Sequence, residues 1–239
     1  MLTTSFFPET TIALAHPGAA RSQPVNALTP IWADGPAQLL DAKEHVFCEG
    51  DPAGYVYRIE AGHVCIYKML QDGRRQVIDF AYPGDLIGLS AVGKHQMNAQ
   101  AISRTRLRPI PVKALHQAVH EDSRIGLKLL EVLSHDLQAS QEMAVTLGQR
   151  SADERLGAFL QAMSRRNRRN GEDPSEFVLP MSRTDIADFL GLTIETISRL
   201  FTKFRVAGVI EISQCVLVKI LDHAKLAGFT GGENRKRMG

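Results

Sequence analysis

Residues 43–110 follow a two-residue rhythm. The runs Val46-Phe47, Tyr55-Val56-Tyr57-Arg58-Ile59, His63-Val64-Cys65-Ile66-Tyr67 and Val77-Ile78-Asp79-Phe80 are rich in β-branched and aromatic residues. Gly50, Gly54, Gly62, Gly73 and Gly84 fall between or beside them. Short strands at such close spacing, punctuated by glycine, predict a small barrel or roll. Asp72-Gly73 predicts a hairpin turn. At residues 122–149 the period changes. Gly and Pro almost vanish, and Leu130, Leu133, Leu137, Ser140, Ala144 and Leu147 recur at spacings of three and four, the mark of a heptad seam. Ile125, Leu129, Val132 and Met143 form a second stripe beside it. One stripe can pack on the roll while the other meets a partner, so we read a dimerisation helix roughly 40 Å long. A long core helix is the alternative.

Ser151-Ala152-Asp153-Glu154 is a capping-box pattern opening another helix through Leu156, Phe159, Leu160 and Met163. Arg165, Arg166, Arg168 and Arg169 cluster near its C-terminal end, where the helix dipole favours cations. Phe177-Val178-Leu179 suits a short strand. Ser182 then caps a helix, with Asp185 three residues on and Ile186, Ala187 and Leu190 on its inner face. Gly191 breaks that helix and permits a tight turn. Thr193 caps a second helix with Ile197, Leu200 and Phe204 facing inward, and Leu192 completes the shared core. A small Ala187 lets the two helices approach, and Ile197 plugs the angle between them. This is the spacing of a helix-turn-helix. Residues 208–212 and 215–220 add two strands about Ser213-Gln214, a wing.

The predicted fold class is therefore α+β: an N-terminal double-stranded β-roll, a long dimerisation helix and a C-terminal winged helix-turn-helix. The expected divisions are a flexible arm at 1–30, the roll at 31–121, the dimerisation helix at 122–149, the DNA-binding unit at 150–228 and a basic tail at 229–239. The outward face of the second helix carries Glu195, Ser198 and Arg199, expected to reach base edges in a major groove. Arg199 is suited to guanine O6 and N7, and Glu195 to a base amino group or to orienting Arg199. Ser182, Arg183, Thr193, Thr196, Thr202 and Lys203 are expected to contact the DNA backbone or to support the readers.

Charge agrees in sign. Residues 150–239 carry 15 Lys/Arg against 11 Asp/Glu, while residues 1–149 carry 13 against 15. A basic C-terminal part suits a polyanion. The three cysteines, Cys48, Cys65 and Cys215, contain no C-x-x-C pair, which argues against a disulfide framework or thiolate cage. His116 and His120 could share a helix face but lack a third ligand nearby, so no metal and no cofactor is expected. Cys215, in the wing, is a possible redox site. No apolar run spans a membrane and no secretory signal opens the chain, so a cytoplasmic location is expected. No phosphate-binding loop, nucleophile elbow or acid pair points to an enzyme.

The segment Leu190-Gly191-Leu192-Thr193-Ile194-Glu195-Thr196-Ile197-Ser198-Arg199-Leu200, with its E-x-x-S-R pattern, closely resembles the CRP/FNR superfamily, specifically its FNR/FixK branch. Pro83-Gly84-Asp85-Leu86-Ile87-Gly88 resembles the turn common to the family's sensory rolls. The resemblance covers about residues 43–227. It implies a homodimer on double-stranded DNA, a TTGA…TCAA palindrome read by Glu195, Ser198 and Arg199, and contact with RNA polymerase. It also implies mainly activation, of microaerobic, anaerobic or nitrogen-fixation genes. Two departures bear on the input. Iron–sulfur sensing in this branch needs four thiolates, and this chain has three cysteines, none within residues 1–47. Cyclic-nucleotide binders carry a Glu and an Arg-Ser pair after the glycine turn; here Gly88 precedes Leu89-Ser90, and Gln96-Met97-Asn98-Ala99 follows later. Effector-independent action is expected. A roll that binds haem, nitric oxide or a metabolite is the alternative, for which His63 and Cys65 on one strand are a weak basis.

Overall fold

The computed structural model describes residues 36–214 and 216–230. The expected arm at 1–30, Cys215 and the tail from Gly231 onward lie outside the described residues. The roll contains β1 (Gln38–Leu40), β2 (His45–Phe47), β3 (Tyr55–Ala61), β4 (Val64–Met69), β5 (Arg75–Ala81), β6 (Leu86–Ile87), β7 (Asn98–Ala101) and β8 (Thr105–Pro111). Antiparallel pairing orders them β1-β8-β3-β6 in one sheet and β2-β7-β4-β5 in the other. Alternation sends Ile59, Val64, Ile66, Ile87, Ala99 and Leu107 into the space between the sheets. The β4–β5 hairpin turns at Asp72-Gly73, where Gly73 takes φ +82°, a conformation glycine adopts without a Cβ clash.

Two helices follow, α1 (Val112–Glu121) and α2 (Ser123–Gln149). The sequence pattern does not single out α1, which joins roll to long helix and buries Leu115. The α2 helix is 27 residues long, and Asp122 caps it by accepting from the Arg124 amide. Its two stripes part company. Val132 is buried with Ile125 and Leu129 packed beside it, against Val56, Leu86 and Ile110 of the roll. The other stripe is bare: Leu130, Leu133 and Leu137 are 61%, 47% and 60% exposed.

The C-terminal unit runs α3 (Ala152–Arg169), β9 (Glu176–Val178), α4 (Arg183–Leu190), α5 (Ile194–Val206), β10 (Ile210–Ser213), β11 (Leu217–Ile220) and α6 (His223–Thr230). The Ser151–Glu154 capping box opens α3. Strand β9 joins the wing, giving a three-stranded sheet β10-β11-β9. The sequence pattern also misses α6, and here a predicted boundary is corrected. Phe229 packs on Phe204 with ring centroids 4.5 Å apart. Phe229 and Thr230 therefore belong to the fold, not to a frayed tail. The approach depends on Gly157, since a Cβ there would lie 3.0 Å from the Thr230 methyl and 3.5 Å from Phe229.

Roll and reader are not independent bodies. One apolar core contains Tyr67, Val77, Phe80 and Tyr82 of the roll together with Phe159 and Met163 of α3 and Phe189 of α4. Tyr82 is also stacked under the Arg166 guanidinium at 3.7 Å. Arg166 in turn pairs with Asp85 at 3.5 Å. Asp85 belongs to the Pro83–Gly88 turn, which it closes by accepting from the Tyr82 amide at 2.9 Å. Of the arginine cluster on α3, Arg166 is thus tied to the roll.

Candidate DNA-reading interface

The reader is built from two short helices at a sharp turn. A reciprocal capping box between Ser182 and Asp185 starts α4. Gly191 ends it in the left-handed region at φ +62°, and its amide bonds back to Ala187 O. Thr193 then starts α5 by accepting from the Thr196 amide at 3.2 Å. Ile186, Ala187, Leu190, Ile197, Leu200 and Phe204 are all buried, so the two helices hold a fixed angle.

This packing leaves one face of α5 bare. Glu195, Ser198, Arg199 and Thr202 are exposed, as is Ile194. The Ser198 hydroxyl donates to Ile194 O at 2.8 Å, and Thr202 donates to Ser198 O at 3.0 Å. Each hydroxyl keeps its lone pairs outward as acceptors. The Glu195 carboxyl lies below the usual carboxylate range. Its own backbone amide contributes most, then the Thr193 hydroxyl and, more weakly, the Arg199 charge. It is ionised at neutral pH, an acceptor only. Arg199 is exposed, so its fork of donors is open to solvent.

The supporting residues divide. Ser182, Thr193 and Thr196 serve as helix caps and as partners to those caps. The Arg183 guanidinium lies 3.5 Å over the Phe201 ring. The Lys203 ammonium pairs with Asp153 of α3 and lies 5.8 Å from the Phe229 ring. A phosphate contact there would have to displace that carboxylate.

Two arginines absent from the expected site tie its helices to neighbouring elements. Arg155 donates from Nη2 to Leu147 O at 2.7 Å, from Nε to Arg150 O at 3.0 Å and from Nη1 to Leu190 O at 2.9 Å. One guanidinium thereby closes the C-terminal ends of both α2 and α4. Arg75, on β5, pairs with Asp185 and with Asp188 of α4. No spacing in the chain announces a contact across 110 residues. Phe189 and Phe201 are large apolar residues outside the predicted inner face, and that was a readable signal of further burial.

Comparison with known proteins agrees with this architecture. A model of the Crp-like helix-turn-helix domain matches residues 154–229, and one of the cyclic nucleotide-binding domain matches residues 37–122. The nitrogen fixation regulation protein FixK of Bradyrhizobium diazoefficiens is 38% identical over 169 residues, 71% of each chain. The transcriptional activator protein anr of Pseudomonas aeruginosa is 33% identical over 196 residues, 81% of this chain and 80% of that protein. The chain belongs to the CRP/FNR family. Among solved structures, FixK2 from Bradyrhizobium japonicum superposes with a TM-score of 0.76 at 33% identity, covering 82% of this chain and 96% of that one. The CRP/FNR members are DNA-binding transcription regulators, not enzymes. Among the described residues, no helix is long and apolar enough to cross a membrane.

The roll of this CRP/FNR regulator does not suit a cyclic nucleotide. A cavity of about 510 Å³ lies among the roll, α2, α3 and Phe189 of α4. Among its described lining residues the one guanidinium is Arg166, already engaged by Asp85 and Tyr82. Asp79 and Asp136 also line it, and burial lowers the His95 pKa toward the neutral ring. Among the described lining residues, a phosphate would meet carboxylates and no cation that is not already engaged. Nor does Cys65 suit a haem. It is fully buried, and burial pushes its thiol up to about 12. At pH 8 the Cys65 thiol is then almost wholly protonated and unreactive. Native protein treated with iodoacetamide is expected to label at half-buried Cys48 well before Cys65; peptide mapping that finds Cys65 labelled first contradicts this.

Proposed function

We propose that the chain is a FixK-type homodimeric regulator, mainly an activator, that binds a TTGA…TCAA-type palindrome without an effector. It would recruit RNA polymerase at microaerobic, anaerobic or nitrogen-fixation genes. The observation that carries this reading is the bare α5 face: Glu195, Ser198 and Arg199 are exposed on a helix whose opposite side is locked. The likeness to the nitrogen fixation regulation protein FixK supports the gene class, and the likeness to the transcriptional activator anr supports activation. The α2 seam, exposed at Leu130, Leu133, Leu137, Ser140 and Ala144 and half-buried at Leu147, supports the dimer, because it contains no ionisable residue to repel a second copy.

In this reading Arg199 donates two bonds to guanine, Glu195 accepts from a base amino group, and Ser198 permits close approach. Ser182, Arg183, Thr193, Thr196 and Thr202 hold the backbone register. Arg199→Ala is expected to lose about 1–3 kcal/mol of discrimination at the guanine of each half-site. Competition binding with single-base variants at one salt concentration reads this directly, and unchanged base preference would remove Arg199 from the reader. The cavity favours one second reading, in which an uncharged apolar metabolite binds between roll and α2. Added ligand would then be required for operator binding.

A further inference from the structure

We propose that Arg75 of the roll is a positioning residue for DNA reading: by clamping Asp185 and Asp188 of α4, it fixes the direction in which α5 points relative to the dimer helix. This rests on the proposed palindrome reading. The clamp has several parts, all from one strand. Arg75 Nε lies 3.0 Å from Asp188 Oδ2, and its Nη2 pairs with Asp185 Oδ1. Gln76 Nε2 donates to Asp188 O at 2.7 Å, satisfying a carbonyl in the last turn of α4. Phe80 packs on Phe189 with centroids 5.2 Å apart.

The ion pair is largely shielded, with side chains 25%, 14% and 25% exposed for Arg75, Asp185 and Asp188. Removing the cation leaves two carboxylates three residues apart beside a largely apolar contact. Asp185 is at the same time the capping carboxylate of α4, accepting from the Ser182 amide at 2.9 Å. The clamp therefore grips both turns of α4, and α4 shares a buried core with α5. It touches none of Glu195, Ser198 or Arg199, so it orients the reader without masking it.

Orientation matters because a dimer must place two readers about one helical turn apart, roughly 34–36 Å. A reader free to swing would still recognise one half-site, yet would tolerate wrong spacings. Only a fraction of its orientations would fit the correct site, which lowers apparent affinity by that fraction.

Full-length wild type and Arg75→Gln are compared on duplexes whose two half-sites are moved closer or farther by one base pair. Wild type is expected to prefer one spacing. Arg75→Gln is expected to lose that preference by roughly tenfold or more, while keeping its base preference within a single half-site. The swap Arg75→Asp with Asp188→Arg is expected to recover it. A spacing preference unchanged in Arg75→Gln, or base preference lost to the same extent, overturns the assignment. A DNA-free arm separates the clamp from the palindrome reading. Hydrogen exchange of the free protein should quicken in residues 75–81 and 183–190 of Arg75→Gln, and unchanged exchange there overturns the clamp whatever the DNA result. Failure of wild type to prefer any spacing, with quickened exchange in the variant, sinks the palindrome reading instead.

Discussion

Leu137→Glu is expected to leave the protein monomeric at micromolar concentration and to weaken operator binding by a factor of about a hundred or more. Leu137 is 60% exposed, so the change costs the isolated chain little. In a two-fold pair of α2 helices the same position meets its own copy or a near neighbour. Each leucine buried there contributes about 1.5–3 kcal/mol, and the two copies lose it together. Two carboxylates would also be desolvated beside each other across an apolar seam. Loss of both contributions exceeds the roughly 2.7 kcal/mol that a hundredfold represents. Sedimentation of the free protein reads the association, and a melting temperature close to wild type shows that the fold survived. A Leu137→Glu protein that remains dimeric at low micromolar concentration places the partner surface elsewhere.

The second large effect is expected at Arg155. Its three carbonyl partners lie at helix ends that have no intrahelical donors left. Bonds from a charged donor contribute about 1.5–3 kcal/mol each, although bonds sharing one side chain do not sum. Arg155→Ala is therefore expected to cost about 2–4 kcal/mol in denaturant unfolding. Arg155→Lys should recover only part, because an ammonium lacks the fork that reaches three carbonyls on two helices. A loss below about 1 kcal/mol would show that water satisfies those carbonyls as well as the guanidinium does.

The helix-turn-helix was legible because its determinants are local. Caps at Ser182 and Thr193, the turn at Gly191 and the inner positions Ile186, Ala187, Leu190 and Ile197 lie within a few residues of one another. The same holds for the Ser151 capping box and for the two stripes of α2. The roll was only half legible. Strands β3, β4 and β5 carry β-branched and aromatic runs, but β7 reads Asn-Ala-Gln-Ala and β6 is two residues long. Strand β8 contains Pro109 and Pro111, which argue against a strand. They are tolerated because β1 pairs only with Thr105–Leu107, so that edge of β8 has no ladder beyond it. The α6 helix carries little periodic signal, and its close packing, through Leu226 and Phe229, depends on room left by a distant glycine, Gly157. The clamp on α4 was not legible at all. It depends on Arg75 and Asp185 meeting across the fold, and nothing local to either residue distinguishes an arginine in a clamp from one in solvent.

The partners of two cations near the site were equally illegible. Lys203, on the reader's own helix, pairs with Asp153, which lies 50 residues earlier at the start of α3. Arg166, one of four arginines clustered near the end of α3, stacks on Tyr82 and pairs with Asp85 of the roll.

The most direct test of the central claim is a titration of the purified full-length protein, with no small molecule added, against a TTGA…TCAA duplex and against the same duplex with both half-sites scrambled. Both are measured at one physiological salt concentration, because phosphate contacts make any affinity salt-dependent. The account predicts a dimer bound to the palindrome at least about a thousandfold more tightly than to the scrambled duplex. Equal affinity for the two duplexes, or discrimination that arises only when a ligand is supplied, would contradict it.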